Sequence, residues 1–223
     1  MSQAESKFFS ESDREKISRA VKDVEQKTSG EIVPYIVDRS DWYEVAEWRA
    51  GVLCGAVALG VFAGLRTFTA VWLPFDFVQM ALVALLAIAA GAMAAHFIPA
   101  IERLFAGAHL MDRRVHQRAG EAFLSEEIFA TRDRTGVLIF LSLLERRVVV
   151  LGDAGINAKV ARSEWDEIIA LIVNSIKSGK PAEGLVAAIQ RCGSLLQREG
   201  VARHKGDTDE LSDHLRTGTT PKP

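Results

Sequence analysis

Two long stretches without charge dominate this sequence. From Ala50 to Leu65 the chain reads AGVLCGAVALGVFAGL, sixteen residues. From Phe77 to Ile101 it reads FVQMALVALLAIAAGAMAAHFIPAI, 25 residues. A helix rises 1.5 Å per residue and the hydrocarbon core of a bilayer is about 30 Å thick, so about 20 apolar residues span it. The second run meets that length by itself. The first meets it when extended to Leu73, with Arg66 snorkelling to the interface. The expectation is a transmembrane helical hairpin over 49–101, with helices at about 49–70 and 77–100 and a turn around Pro74 and Asp76. The competing reading is a pair of core helices in a soluble protein. Such helices normally carry a polar face, and neither run has one. Gly51, Gly55, Ala56, Gly60, Ala63, Ala87, Gly91 and Ala95 are small enough for close helix approach in lipid. Trp42, Tyr43 and Trp48 on one side, and Trp72, Phe75 and Phe77 on the other, suit two interfacial belts.

Residues 1–30 are strongly charged and hold no apolar stretch of the signal-peptide kind. Two spans leave the segments before and after the hairpin on one side. Arg39, Arg49, Arg103, Arg113, Arg114 and Arg118 lie on that side, against Arg66 alone at the turn, so the positive-inside rule places both termini in the cytoplasm. The expected location is the inner (plasma) membrane. Lys+Arg is 27 and Asp+Glu is 29, a net charge of −2, which argues against a nucleic-acid partner. Two cysteines, Cys54 and Cys192, exclude a disulfide framework.

The remaining sequence reads as a small α/β domain. Ile17, Ala20, Val21 and Val24 repeat at helical spacing within 10–28, with Ser12 and Glu15 as a capping box and Gly30 as the stop. Glu31 to Asp38, EIVPYIVD, reads as a strand, which Pro34 assigns to an edge or a bulge. Residues 108–130 are helical, with Met111, Val115, Ala119, Ala122 and Phe123 on one face. GVLIFLSLL (136–144) and RVVVLGD (147–153) read as two strands joined by a tight turn, apolar enough for burial on both faces. AGIN (154–157) is a loop, 158–178 a helix, and 181–198 a last helix opened by Pro181. The tail 200–223 is polar and expected to be disordered. One helix and one strand before the hairpin cannot close a core. The strand 31–38 is therefore expected to pair with the 136–153 hairpin. The expected fold class is α/β, a small sheet flanked by helices. It is one discontinuous domain, 8–39 and 108–198, with the transmembrane hairpin inserted.

Three segments carry a family resemblance: KTSGEIVPYIV after the first helix, TRDRTGVLIFLSLLERRVVVLGDAGI, and GKPAEGLVAAI at the last helix. In this order they resemble the TPM domain family, the thylakoid acid-phosphatase-like domains, over 8–39 and 108–195. Arg-Thr-Gly-Val-Leu and Gly-Asp-x-Gly-Ile look like the bacterial membrane-protein branch. The resemblance implies metal binding and phosphatase activity for some members only. The glutamate that ends the family's glycine loop is Asn157 here, which puts transfer of either property in doubt.

Asp38, Asp133 and Asp153 flank the strands and are the candidate metal ligands. With the pairing expected above, Asp38 and Asp153 share one sheet end. Gathered carboxylates there could hold a divalent cation, calcium or magnesium, which would orient a phosphate and activate water. The competing reading is that acidic residues end strands because turns favour them. His109, Asp112 and His116 fall on one helical face, either as zinc ligands or as a solvated face near lipid headgroups. His96 lies within the second span. Arg132, Arg134, Arg146 and Arg147 lie in turns, as anion ligands or solvated charges. GDAG lacks the Gly-Lys-Ser/Thr of a P-loop, and neither GxSxG nor HExxH occurs. Cys192 reads as core packing. No catalytic residue is assigned. The expected function is a membrane-anchored interaction module with a protein partner and a divalent cation as its candidate ligand. The alternatives are a metal-assisted phosphomonoester hydrolase or a subunit of a membrane assembly.

Overall fold

A computed structural model describes residues 8–68, 76–201 and 211–218. The chain divides into two compact units, 1–41 with 112–223, and 42–111.

The first unit is built on a four-stranded sheet. Its strands are β1 (Ile32–Val37), β2 (Val137–Ser142), β3 (Arg147–Gly152) and β4 (Arg216–Gly218), in spatial order β3-β2-β1-β4. β1 runs parallel to β2 with Ile32 opposite Val137, and β2 runs antiparallel to β3. The pairing across the hairpin is as expected from the sequence. Successive side chains of a strand point to opposite faces, and this alternation sorts the core. Ile32, Ile36, Val137, Ile139 and Leu141 join one apolar cluster, and Val33, Tyr35, Val37, Leu138 and Phe140 join the other.

Helices cover both faces. The first cluster takes in α1 (Glu11–Glu25) and the later helices that carry Trp165, Ile168, Leu185, Ile189 and Cys192. The second takes in Val115, Ala119 and Ala122 from a helix over Ala108–Ser125. All six residues of β2 and of β1 are buried, but β3, at the sheet edge, is mostly half-buried. Burial of both faces therefore holds for the central strands only.

Several local expectations are corrected. The capping box of α1 is Ser10 with Asp13, not Ser12 with Glu15, and α1 stops at Glu25, ahead of Gly30. Gly30 instead allows a close approach: a Cβ there would lie 2.6 Å from Leu196 Cδ1. Pro34 is not on an edge. The Glu31 and Val37 carbonyls accept from Val137 and Leu143 N–H, so odd-numbered residues of β1 turn their backbone toward β2. Pro34 turns to the other flank, where β4 pairs only from Tyr35 onward. It costs the ladder nothing. AGIN forms a helical turn rather than a loop. The tail, expected to be disordered, supplies β4, parallel to β1.

In chain order the helices are α1, α2 (Glu44–Phe68), α3 (Phe77–Phe97), α4 (Pro99–Ala106), α5 (Ala108–Ser125), α6 (Ala154–Asn157), α7 (Arg162–Lys177) and α8 (Pro181–Arg198). The second unit consists of α2, α3, α4 and the start of α5. Both α2 and α3 are long and apolar enough to cross a membrane. Their outer side chains are exposed: Val61 58%, Leu85 63%, Leu86 61%. Their contact is made by small residues. A Cβ at Gly55 would lie 2.6 Å from Ile88 Cγ1, and one at Gly91 2.7 Å from the Ala50 carbonyl oxygen. Arg49 closes α4 by donating to the Phe105 and Ala106 carbonyls at 2.9 and 3.3 Å, and His96 Nδ1 lies 2.8 Å from Glu47 Oε1. The turn residues Trp72, Pro74 and Phe75 lie outside the described residues.

Candidate functional site

Two of the motif-bearing segments meet at one end of the sheet, where β1 and β2 begin and β3 ends. Gly136 opens β2 with no room for a side chain, since a Cβ would collide with the Ile128 carbonyl oxygen. Gly155 packs on the loop before β2, with its ideal Cβ 2.7 Å from the Asp133 carbonyl oxygen, and its N–H donates to the Arg134 carbonyl at 3.1 Å. Thr135 Oγ1 donates to the Ser29 carbonyl at 2.7 Å, tying that loop to the start of β1. Residues 28–31, 131–136 and 152–157 thus form one structure.

Its charges are already matched. Asp153 is buried, and its carboxylate receives the Arg134 guanidinium, with Nε at 2.8 Å and Nη2 at 3.2 Å. The same carboxylate caps α6 by accepting from Ala154 N–H at 2.6 Å. Arg134 adopts φ 56°, a left-handed conformation uncommon for a side-chain-bearing residue. Asn157 Nδ2 donates to the Gly152 carbonyl at 2.5 Å. A glutamate at that position would have no proton for this bond in its ionised form. Asp133 stands exposed in the loop.

Asp38 is at the other end of the sheet, so it does not share an end with Asp153. The parallel register is the reason. β1 ends beside the end of β2, while β3 returns antiparallel and finishes next to the start of β2. Three carboxylates at both ends of a sheet are not one ligand set. Among the described residues no group of three His, Cys, Asp or Glu is disposed to hold a metal. The divalent cation that the resemblance implies for some members does not fit the residues here, because Asp153 is neutralised by Arg134 and Asn157 is a donor. Asp112 faces Arg147 Nη1 and His116 Nδ1, each at 3.9 Å, rather than a zinc-like cluster.

The Asp38 end holds a polar network that no local pattern in the sequence marks. Glu145, 4% exposed in the β2–β3 turn, accepts from Ser40 N–H at 2.9 Å and from the Ser142 hydroxyl. Ser40 and Ser142 Oγ are 2.8 Å apart. Beside them a small crevice of about 120 Å³ is lined by Ser40, Asp41, Arg114, Gln117, Arg118 and Glu121. Arg114 Nε pairs with Asp41 at 2.8 Å and Arg118 Nη1 with Glu121 at 3.0 Å. The signal available in the sequence was a glutamate in a two-strand turn, where a solvated residue is the usual occupant.

Two buried acids or thiols are strongly perturbed. Cys192 is fully buried in the core, which pushes its thiol up to about 12 and leaves it unreactive. Burial likewise pushes the Glu25 carboxyl up to about 10, assisted by the nearby charges of Glu31 and Asp213 and opposed by the bond from Ile32 N–H.

Residues 100–195 match the model of the TPM domain. No curated protein matches the chain. Among solved structures, the NMR structure of the BA42 protein from the psychrophilic bacterium Bizionia argentinensis is similar, with a TM-score of 0.57 and 21% identity. The match covers 95% of this chain and 96% of that one. At this identity the likeness concerns the fold.

Proposed function

We propose that this chain, which carries a TPM domain over residues 100–195, is a membrane-anchored interaction module. In this reading 8–39 and 108–198 act as one domain, and the α2–α3 hairpin inserted in it is the anchor. The observation that carries the reading is the outer surface of that hairpin. Only 11% of the apolar window of either helix is buried, so large apolar side chains face outward along both. A patch of that extent exposed to water would drive association. In a bilayer the same side chains are solvated by lipid. In this reading the domain and both termini lie at the cytoplasmic face of the inner membrane, which the arginines near the hairpin ends support through the positive-inside rule.

The domain is read as a binding rather than a hydrolytic unit because its sheet-end carboxylate, Asp153, is engaged by Arg134 and by the cap of α6. A phosphomonoester hydrolase working through a bound cation needs an open carboxylate set. The test has two steps. Membranes from cells expressing the full chain are washed with alkaline carbonate, and the protein is expected to stay in the pellet; release into the wash would sink the anchor. Protein purified in mild detergent is then assayed against a generic phosphomonoester with calcium, magnesium, manganese or chelator. Cation-dependent turnover that disappears in Asp153→Ala would replace the binding module with an enzyme.

A further inference from the structure

The C-terminal strand is held to the sheet at only a few points. Leu215 is buried in the first apolar cluster, and Arg216 pairs with Glu126. Gly218 lies against Tyr35, where a Cβ would come within 2.6 Å of the phenolic oxygen. The ladder between β1 and β4 is three residues long. The cause of its shortness lies in β1. Ile32 and Pro34 both turn their backbone nitrogen to this flank. Pro34 has no N–H to give, and the Ile32 N–H is taken by Glu25 Oε1 at 2.9 Å. A side chain from α1 thus stands where a longer β4 would run.

Glu25 is 8% exposed, and its second oxygen, Oε2, is buried with no hydrogen-bond partner among the described residues. Asp213, at the entry to β4, carries a buried Oδ1 in the same condition. The two side chains are within hydrogen-bonding reach of each other. Two carboxylate oxygens cannot bond without a hydrogen between them, and an unsatisfied buried oxygen is costly. One proton satisfies both.

We propose that a single proton shared between Glu25 and Asp213 latches the tail strand β4 to the sheet, and that losing it releases the tail and uncovers the flank of β1. Among the described residues the charged groups that act on Glu25 are Glu31 and Asp213, and both oppose its ionisation. Arg216 cannot compensate, because Glu126 holds it. The upward shift of Glu25 set out above agrees with the geometry and puts release on the alkaline side. The uncovered flank is an open strand edge over Tyr35–Val37. The proposal rests on the sheet domain alone and is independent of the membrane reading.

The test uses the full chain in mild detergent, with a nitroxide attached at Thr217→Cys in a Cys54→Ser background. Thr217 is exposed on β4 and Cys192 is fully buried. Label mobility is followed from pH 6 to pH 11 by electron paramagnetic resonance, with far-UV circular dichroism reporting the fold. The label is expected to change from immobile to mobile at alkaline pH while the fold persists. Glu25→Gln reproduces the protonated acid, with its amide donating to Asp213, and should hold the label immobile through that transition. Asp213→Asn lies in the tail rather than the core, donates to an ionised Glu25, and should do the same. A wild-type label that stays immobile to the highest pH at which the fold survives would overturn the latch. So would variants that release at the wild-type pH.

Discussion

The two units of this protein bury opposite kinds of residue. In the sheet domain the large apolar side chains are inside: Phe140, Ile139 and Leu138 are fully buried. In the hairpin the large ones are outside and the small ones inside. Leu85, Leu86 and Val83 are more than half exposed, while Gly51, Gly55, Gly91, Ala84 and Ala95 are buried. A chain folded against water hides its large apolar groups, because each buried CH₂ is worth about 0.8 kcal/mol. Helices in lipid gain nothing that way, and backbones are drawn together through small residues instead. Composition alone does not separate the two regions, since both are rich in Val, Leu and Ala. The distinction lies in which sizes face inward.

That comparison can be broken by substitution. The largest expected effect is Phe140→Ala. This ring, stacked on Tyr35 with centroids 5.8 Å apart, should cost about 3–5 kcal/mol of domain stability in a denaturant titration. Leu85→Ala, at a comparably apolar position, should cost almost nothing in the same experiment. If Leu85→Ala is equally damaging, the hairpin is a water-type core and the contrast fails. Next is Leu85→Arg. In a spanning helix it should disfavour insertion by about 3 kcal/mol or more, seen as a smaller carbonate-resistant fraction. Gly91→Val follows, at about 1–3 kcal/mol of overpacking against Ala50 and Cys54. Thermal unfolding in detergent should register it for the hairpin while the sheet domain keeps its midpoint. Arg134→Ala leaves the buried Asp153 without its cation. It should destabilise the sheet domain by about 1–3 kcal/mol, read from the same titration.

The most specific effect is on pH dependence. Glu25 is raised from 4.5 to about 10 in the folded protein. The folded chain therefore keeps a proton that the unfolded chain releases once the pH exceeds 4.5. The stabilisation is complete below 4.5 and is lost as the pH rises toward about 10. Denaturation midpoints of the wild-type sheet domain should fall from pH 5 to pH 9, and those of Glu25→Gln should fall less. Equal slopes would remove Glu25 from the account.

What was legible in the sequence follows the same division. Uncharged length marked α2 and α3, and α8 was read to its last residue because Pro181 and a regular apolar stripe define it. The pairing of β1 with β2 was deduced from the inability of one strand to stand alone. The misread parts depend on other segments. Pro34 looked like an edge signal, but which flank its nitrogen faces is set by register with β2. Asp38 and Asp153 looked convergent because strand order alone does not say which ends meet. β4 was invisible because Arg216–Gly218 has no strand pattern of its own and exists only as a partner for Tyr35–Val37. The network of Ser40, Ser142 and Glu145 joins residues about a hundred positions apart, and nothing local announces it.

The insertion also orders events in time. β1 is made early, yet its partner Val137 follows Ile32 by 105 positions. During synthesis β1 must wait, unpaired, while the whole hairpin emerges and finds its place. Pairings so distant in sequence are slow to form and leave strand edges open meanwhile. Once the two ends of the hairpin are held near each other, the search that brings β2 to β1 becomes short. The hairpin is then the step that commits the domain: a chain that fails to place it holds two half-domains with no means of closing, an apolar strand on each.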